Sequence, residues 1–190
     1  MFNKLFGRSS TAPSGPEERL KAIEGSASAE MAAEMLTRPS ALEQLTREEA
    51  RIVVSYMMPH KIAEGVTFIK EGDTKETDFM ILVLDGEVTV ESIVVSRTEP
   101  ITVTVLGRGS LIGEMGLLDG EPRNASCTAV SDLRCAILSR ASLKKLLDDD
   151  PRTAAKFILA ISLRIAERMR DGAEKLKLYS QLTQAMQEEI

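Results

Sequence analysis

Tryptophan is absent from the 190-residue chain, histidine occurs once, at His60, and the only cysteines are Cys127 and Cys135. A Cys/His zinc centre needs four ligands, and three such residues with no paired short spacing do not supply it. Histidine-based catalysis would rest on His60, which follows Pro59 and reads as a partly exposed loop residue between a helix and a strand. No enzyme activity and no cofactor are therefore expected. Two cysteines in a chain this long do not form a disulfide framework. Their apolar strand contexts suggest buried, inert thiols in a reduced cytoplasm. The longest purely apolar run is Phe79 to Leu84, too short to span a bilayer. The N-terminus has no long apolar stretch followed by a small-residue cleavage site, so no secretion signal is read there. Basic residues are outnumbered, 24 against 29 acidic, for a net charge of −5. That balance argues against a chain whose main work is gripping nucleic acid, so neither DNA nor a membrane is an expected partner.

What is present is the balance of a globular protein: 43% hydrophobic and 28% charged residues. Residues 1–16 read as a flexible tail, because Ser9, Ser10, Thr11, Pro13, Ser14, Gly15 and Pro16 offer little surface to bury. Ahead of them Met1, Phe2, Leu5 and Phe6 stand beside Lys4 and Arg8, a pattern that suits either a docking peptide or a frayed terminus. Residues 17–40 read as an N-terminal helical extension, with Leu20, Ile23, Ala27, Met31 and Met35 at helical spacing and Gly25-Ser26 as the point where it breaks or kinks. Thr46 and Glu49 have capping-box spacing and open a helix whose apolar face is Ala50, Ile52, Val53, Tyr56 and Met57, ended by Pro59.

Periodicity then turns strand-like. Segments around 66–69, 79–83, 88–90, 93–95, 101–105, 127–129 and 133–137 are separated by turn signals such as Gly72-Asp73, Asp85-Gly86, Glu99-Pro100 and Gly107-Arg108-Gly109. Residues 41–150 thus predict an antiparallel β-roll, jelly-roll-like, within an α+β fold. This region carries 12 basic and 19 acidic residues, which makes it a poor anion-binding surface unless a local positive site is built in.

After a short helical segment, Ala141 to Leu147, residues 151–190 predict one long helix opened by Asp150-Pro151. Steps of four and three from Ile158 pass through Ser162, Ile165, Met169, Gly172, Leu176, Tyr179, Thr183 and Met186 to Ile190. Seven of these ten are apolar, which favours a seam against a second copy, hence a homodimer. Arg164, Arg168 and Arg170 read as a solvated basic face with one residue free to cap a ligand.

Residues 109–129, GSLIGEMGLLDGEPRNASCTA, carry the chemistry. Gly113 and Gly116 let backbone N–H groups come close to an anion at the start of a helical turn over Met115–Leu118. Arg123 offers a bidentate, charge-assisted contact to phosphate. Glu114 repels a phosphate, but it fits a ligand that also presents a sugar hydroxyl. The alternative is that Arg123 pairs with Glu114 in an empty pocket.

This stretch resembles the phosphate-binding cassette of the cyclic-nucleotide-binding domain family. Its Glu-to-Arg spacing is similar to that of protein kinase A regulatory subunits and one residue shorter than in catabolite activators. Gly65-Val66, Lys70-Glu71-Gly72-Asp73, Asp85-Gly86-Glu87-Val88 and Ile112-Gly113-Glu114 follow the family's order, so the resemblance covers about Leu42 to Ser162. It implies a β-roll with flanking helices and a long C-terminal helix. It also implies that Glu114 accepts from a ribose 2′-hydroxyl and that Arg123 pairs with the cyclic phosphate. Gly113, Met115 and Ala125 would add backbone contacts or close approach. Asn124 stands where many members have a small residue, and its amide could donate to the phosphate, meet the base or crowd the pocket. Arg168 and Met169 stand where catabolite activators read adenine, and either could cover the purine.

The expected function is a cyclic-nucleotide sensor, with cAMP favoured over cGMP, signalling to a partner protein or through its own assembly state. The chain stops at Ile190 without the helix-turn-helix that catabolite activators append. A non-binding dimeric scaffold and a truncated catabolite activator-like transcription regulator are the alternatives.

Overall fold

The computed structural model describes residues 15–37, 45–92 and 101–188. Residues 1–14 of the expected tail, the reset at Pro39, the strand at 93–95, the turn at Glu99-Pro100 and Ile190 at the far end of the helical seam lie outside them, whereas Gly15 and Pro16, expected in the tail, instead cap and open the first helix. Pro16 and the acidic pair Glu17 and Glu18 start α1 (Pro16–Ile23). The break falls at Glu24-Gly25, and Ser26 then accepts from the Ala29 N–H at 3.3 Å to start α2 (Ala27–Leu36). Thr46 and Glu49 form a reciprocal capping box, 3.2 and 2.8 Å, at the head of α3 (Arg47–Ser55).

Eight strands and a short helix follow among the described residues: β1 (Met58–Ile62), β2 (Thr67–Ile69), β3 (Phe79–Asp85), β4 (Val88–Ser92), β5 (Ile101–Leu106), β6 (Leu111–Ile112), α4 (Glu114–Asp119), β7 (Ser126–Ala129) and β8 (Leu133–Ser139). Two four-stranded sheets, ordered β1-β8-β3-β6 and β2-β7-β4-β5, are antiparallel throughout. This is the expected β-roll with N-terminal helices. Pro59 and His60 correct the sequence reading: both lie inside β1, not in a loop, opposite Ala136 and Cys135. β1 is an edge strand, where a proline's missing N–H breaks no interior ladder. The helix ends earlier, at Ser55.

The strand β3 explains why Phe79–Leu84 is apolar without alternation. Phe79, Ile81 and Val83 face the second sheet in one core with Ile62, Phe68, Val88, Cys127 and Ile137. Met80, Leu82 and Leu84 face the helices in another, with Ala33, Val53, Tyr56, Leu146, Phe157 and Ile161. A strand buried on both faces reads as one continuous run.

The final pair is α5 (Arg140–Asp149) and α6 (Pro151–Glu188). Asp150 caps α6 by accepting from the Thr153 N–H at 3.1 Å. The Tyr56 hydroxyl donates to Asp149 at 2.8 Å, and Lys156 meets Glu49 of α3 at 2.8 Å. Ala154, Phe157 and Ile161 are buried against the helical core, with Ile158 and Ile165 packed at its edge. Here the expected seam divides. Its first members pack on their own domain, whereas Met169 and Leu176 are 70% and 71% exposed. Asp171-Gly172 does not interrupt the helix. Among the described residues, no helix is long and apolar enough to cross a membrane.

Candidate functional site: a cavity under the long helix

β6 delivers the chain to Gly113, whose φ of +83° turns it into α4. A side chain there would strain the backbone and would also collide, because a Cβ would lie 2.8 Å from Arg123 Nη1 and 3.1 Å from the Phe79 carbonyl oxygen. Gly116 is tight for the same reason, with Arg123 Nη1 at 2.8 Å and the Thr77 carbonyl oxygen at 3.1 Å from its Cβ position. Both glycines make room for a guanidinium.

That arginine is 5% exposed and its guanidinium is held by three carbonyls from two backbone segments. Nε donates to the Glu76 carbonyl at 3.0 Å, Nη1 to Gly113 at 2.8 Å and Nη2 to Phe79 at 2.8 Å. It also stacks over the Phe79 ring, 4.6 Å from the centroid. Burial draws its pKa below the ordinary value, and the nearby carboxylates of Asp78 and Asp73 oppose that shift. Arginine stays charged nonetheless. The alternative pairing of Arg123 with Glu114 is thereby corrected. Glu114, 3% exposed, is ion-paired instead with Arg168 of α6. Arg164, one turn earlier, donates to the Gly109 carbonyl at 3.2 Å. Two of the three arginines expected to supply a solvated face and one ligand-capping residue therefore contact the roll.

Around these groups lies a cavity of about 450 Å³, within the range that holds small ligands. Gly113, Glu114, Met115, Gly116, Arg123, Asn124, Ala125 and Arg168 all line it. Met169, the other residue expected over the ligand, is outside the lining and exposed. The Asn124 amide reaches Met115 Sδ at 3.5 Å at the rim. The strands contribute an apolar part of the lining, Ile69, Val90, Leu106, Ile112 and Cys127, with Ser92 and Thr104 adding hydroxyls. These residues come from strands whose alternation is visible in sequence, although their convergence on one cavity is not. Arg140 is a second residue that sequence reasoning missed. Its Nε donates to the Leu117 carbonyl at 3.0 Å and its Nη2 to Gly116 at 2.5 Å, closing the C-terminal end of α4. Cys127 and Cys135 are buried, and burial pushes both thiols up to about 12.

Chemically, the cavity lining combines a buried carboxylate, a buried guanidinium and apolar strand side chains, with Asp119 and Glu121 adding further carboxylates. The sequence model of the family described as "Cyclic nucleotide-binding domain" matches residues 59–150, which contain most of this lining. Among solved structures, the chain is similar to a cyclic nucleotide-binding domain from Methylobacillus flagellatus, at 30% identity and a TM-score of 0.71, covering 77% of this chain and 81% of that one. It is 30% identical over 136 residues to the cyclic AMP receptor protein of Thermus thermophilus, covering 72% of this chain and 60% of that protein. A CRP-like cAMP-activated global transcriptional regulator of Mycobacterium tuberculosis is 23% identical over 127 residues, 67% of this chain and 52% of the regulator. The chain thus spans between half and three-fifths of the length of these curated relatives.

Proposed function

The chain belongs to the cyclic nucleotide-binding domain family, a regulatory binding module, and from that premise we propose that it is a cyclic-nucleotide sensor, with cAMP the favoured ligand. In this reading residues 41–150 are the binding roll and residues 151–190 carry the output. The cyclic phosphate meets Arg123, and the ribose 2′-hydroxyl donates to Glu114. Gly113, Met115 and Ala125 approach through their backbones, and the base lies along the apolar strand residues. The observation that carries it is the pairing of a buried carboxylate and a buried guanidinium on one 450 Å³ cavity. Each group has a partner class on a cyclic nucleotide, and neither suits an apolar ligand. The names of the Thermus and Mycobacterium relatives favour cAMP over cGMP. Output passes through α6 to a partner protein or to a second copy, since Met169, Leu176 and Leu178 are 70%, 71% and 56% exposed on its outer half. Two buried reduced thiols suit a cytoplasmic setting.

One observation favours a second reading, a scaffold that binds no nucleotide. Arg123 already serves three carbonyls and Glu114 already has Arg168. Calorimetric titration of nucleotide-stripped protein with cAMP and with cGMP decides between them. Saturable binding, tighter for cAMP and weakened about tenfold or more in Arg123→Ala, supports the sensor. Heat at dilution level for both nucleotides supports the scaffold.

A further inference from the structure

Helix α4 is six residues long, too short to hold its own shape in water. At its two ends the Leu117 N–H donates to the Gly113 carbonyl at 3.2 Å and the Gly120 N–H to the Gly116 carbonyl at 3.0 Å. Each of those carbonyls also accepts from an arginine, Gly113 from Arg123 Nη1 and Gly116 from Arg140 Nη2. Arg140 Nε adds the Leu117 carbonyl. Gly120, with a φ of +79°, has the Arg140 guanidinium 3.3 Å from its Cβ position, so the turn that ends α4 is built against that group. The Arg140 backbone N–H donates to the Asp78 carbonyl at 2.7 Å, in the segment whose Glu76 and Phe79 carbonyls hold Arg123. Arg140 itself is exposed and outside the cavity lining, whereas Gly113, Glu114, Met115, Gly116 and Arg123 belong to it.

We propose that Arg140 is a positioning residue for the nucleotide: without touching the ligand, its guanidinium fixes the far end of α4 and so holds the Gly113–Gly116 backbone and Arg123 in binding geometry. The proposal rests on the sensor reading and adds a residue that lies beyond the cassette. When Arg140 is removed, two carbonyls of α4 lose a charged donor, and water replaces it because the residue is exposed. The fold therefore survives, while α4 samples arrangements that displace its backbone from the cavity. Apparent affinity falls by the fraction of molecules still in the binding arrangement. Burial first, and the charge of Arg140 to a lesser degree, lower the Arg123 pKa. Charge and geometry therefore have to be separated experimentally.

The test measures cAMP dissociation constants of the unaltered chain, Arg140→Ala, Arg140→Lys and Arg134→Ala, each first shown to be folded by circular dichroism. Arg134 is an exposed arginine of β8, paired with Asp85 at 3.1 Å and outside the cavity lining, and it controls for the loss of one surface charge. Arg140→Ala should bind about fivefold more weakly, the net worth of one hydrogen bond, and Arg134→Ala should stay within about twofold. Lysine keeps the charge but holds about one carbonyl, so Arg140→Lys should fall between Arg140→Ala and the unaltered chain. Amide exchange of the nucleotide-free proteins adds a second readout: residues 114–119 should exchange faster in Arg140→Ala, with β3 and β8 unchanged. Affinity of Arg140→Ala within about twofold of the unaltered chain overturns the positioning role, as does unchanged exchange in α4. Full recovery in Arg140→Lys assigns the effect to charge alone, and an equal loss in Arg134→Ala assigns it to the surface; either overturns the proposal. In all these cases saturable binding by the unaltered chain leaves the sensor reading intact. Absence of saturable binding by the unaltered chain overturns the sensor reading and the proposal together.

Discussion

Replacing Arg123 by lysine keeps the charge and removes the fork. In the folded protein the guanidinium spends three different nitrogens on three carbonyls, at 3.0, 2.8 and 2.8 Å, and so ties Glu76 and Phe79 of one segment to Gly113 of another. A lysine ammonium is one point and can hold about one of them. Charged hydrogen bonds are worth about 1.5–3 kcal/mol each, so two lost bonds amount to about 3–6 kcal/mol before relaxation. The adjacent cavity lets water reach part of the freed backbone, which brings the expected net loss to about 2–3 kcal/mol. With a urea m-value of about 2 kcal/mol/M, the unfolding midpoint of Arg123→Lys should fall by about 1 M at unchanged slope. Equilibrium urea unfolding followed by far-UV circular dichroism measures it. A midpoint within about 0.2 M of the unaltered chain, less than about 0.5 kcal/mol, refutes the structural role of the guanidinium.

Three further outcomes follow from the same geometry. Gly116→Ala should lose about 1–3 kcal/mol through overpacking against Arg123 Nη1 and the Thr77 carbonyl, although alanine is the better helix former. Gly172→Ala, with nothing within 4 Å of its Cβ position, should gain about 0.5–1 kcal/mol. Thermal unfolding that ranks the pair the other way would count against the packing described around α4. Glu49 is held below its ordinary pKa, first by the hydrogen bond from Lys156 and then by the Thr46 backbone N–H. A depressed folded pKa stabilises above the unfolded value, about 4.3, and that stability is lost as pH falls through the folded value. Urea midpoints measured from neutral to acid pH should therefore drop more steeply in the unaltered chain than in Glu49→Gln, and parallel curves would contradict the ion pair. Both thiols, pushed up to about 12 by burial, should resist a thiol reagent in the folded protein at about pH 8 and react once urea unfolds it. Labelling at full stoichiometry under native conditions would be the opposing result.

How much of this was legible from sequence depends on the range over which each contact acts. The capping box at Thr46 and Glu49 spans three residues and is visible as spacing. The run Phe79–Leu84 announces a buried strand, but only the helices packed on one side and the second sheet on the other explain its lack of alternation. Pro59 looks like a helix terminator because its strand role depends on pairing with Ala136, far along the chain. Glu114 and Arg123 stand out through the cassette pattern, yet the carbonyls of Glu76 and Phe79 that hold Arg123 carry no sequence signature at all. Arg140 is an isolated arginine at the first position of α5, and nothing in its neighbours points to α4. Arg168 and Met169 differ by one residue, about 100° around a helix. An ungapped count cannot fix that phase, and the fold directs Arg168 to the cavity and Met169 to solvent.

The central claim is that Glu114 and Arg123 read a ribose hydroxyl and a cyclic phosphate on the same molecule. It is tested most directly without altering the protein, by titrating nucleotide-free chain with cAMP and with its 2′-deoxy analogue. Saturable binding of cAMP, with the deoxy analogue weaker by about tenfold or more, is the predicted result. Equal binding of the two would contradict the assignment of Glu114, and no saturable binding of either would contradict the sensor itself.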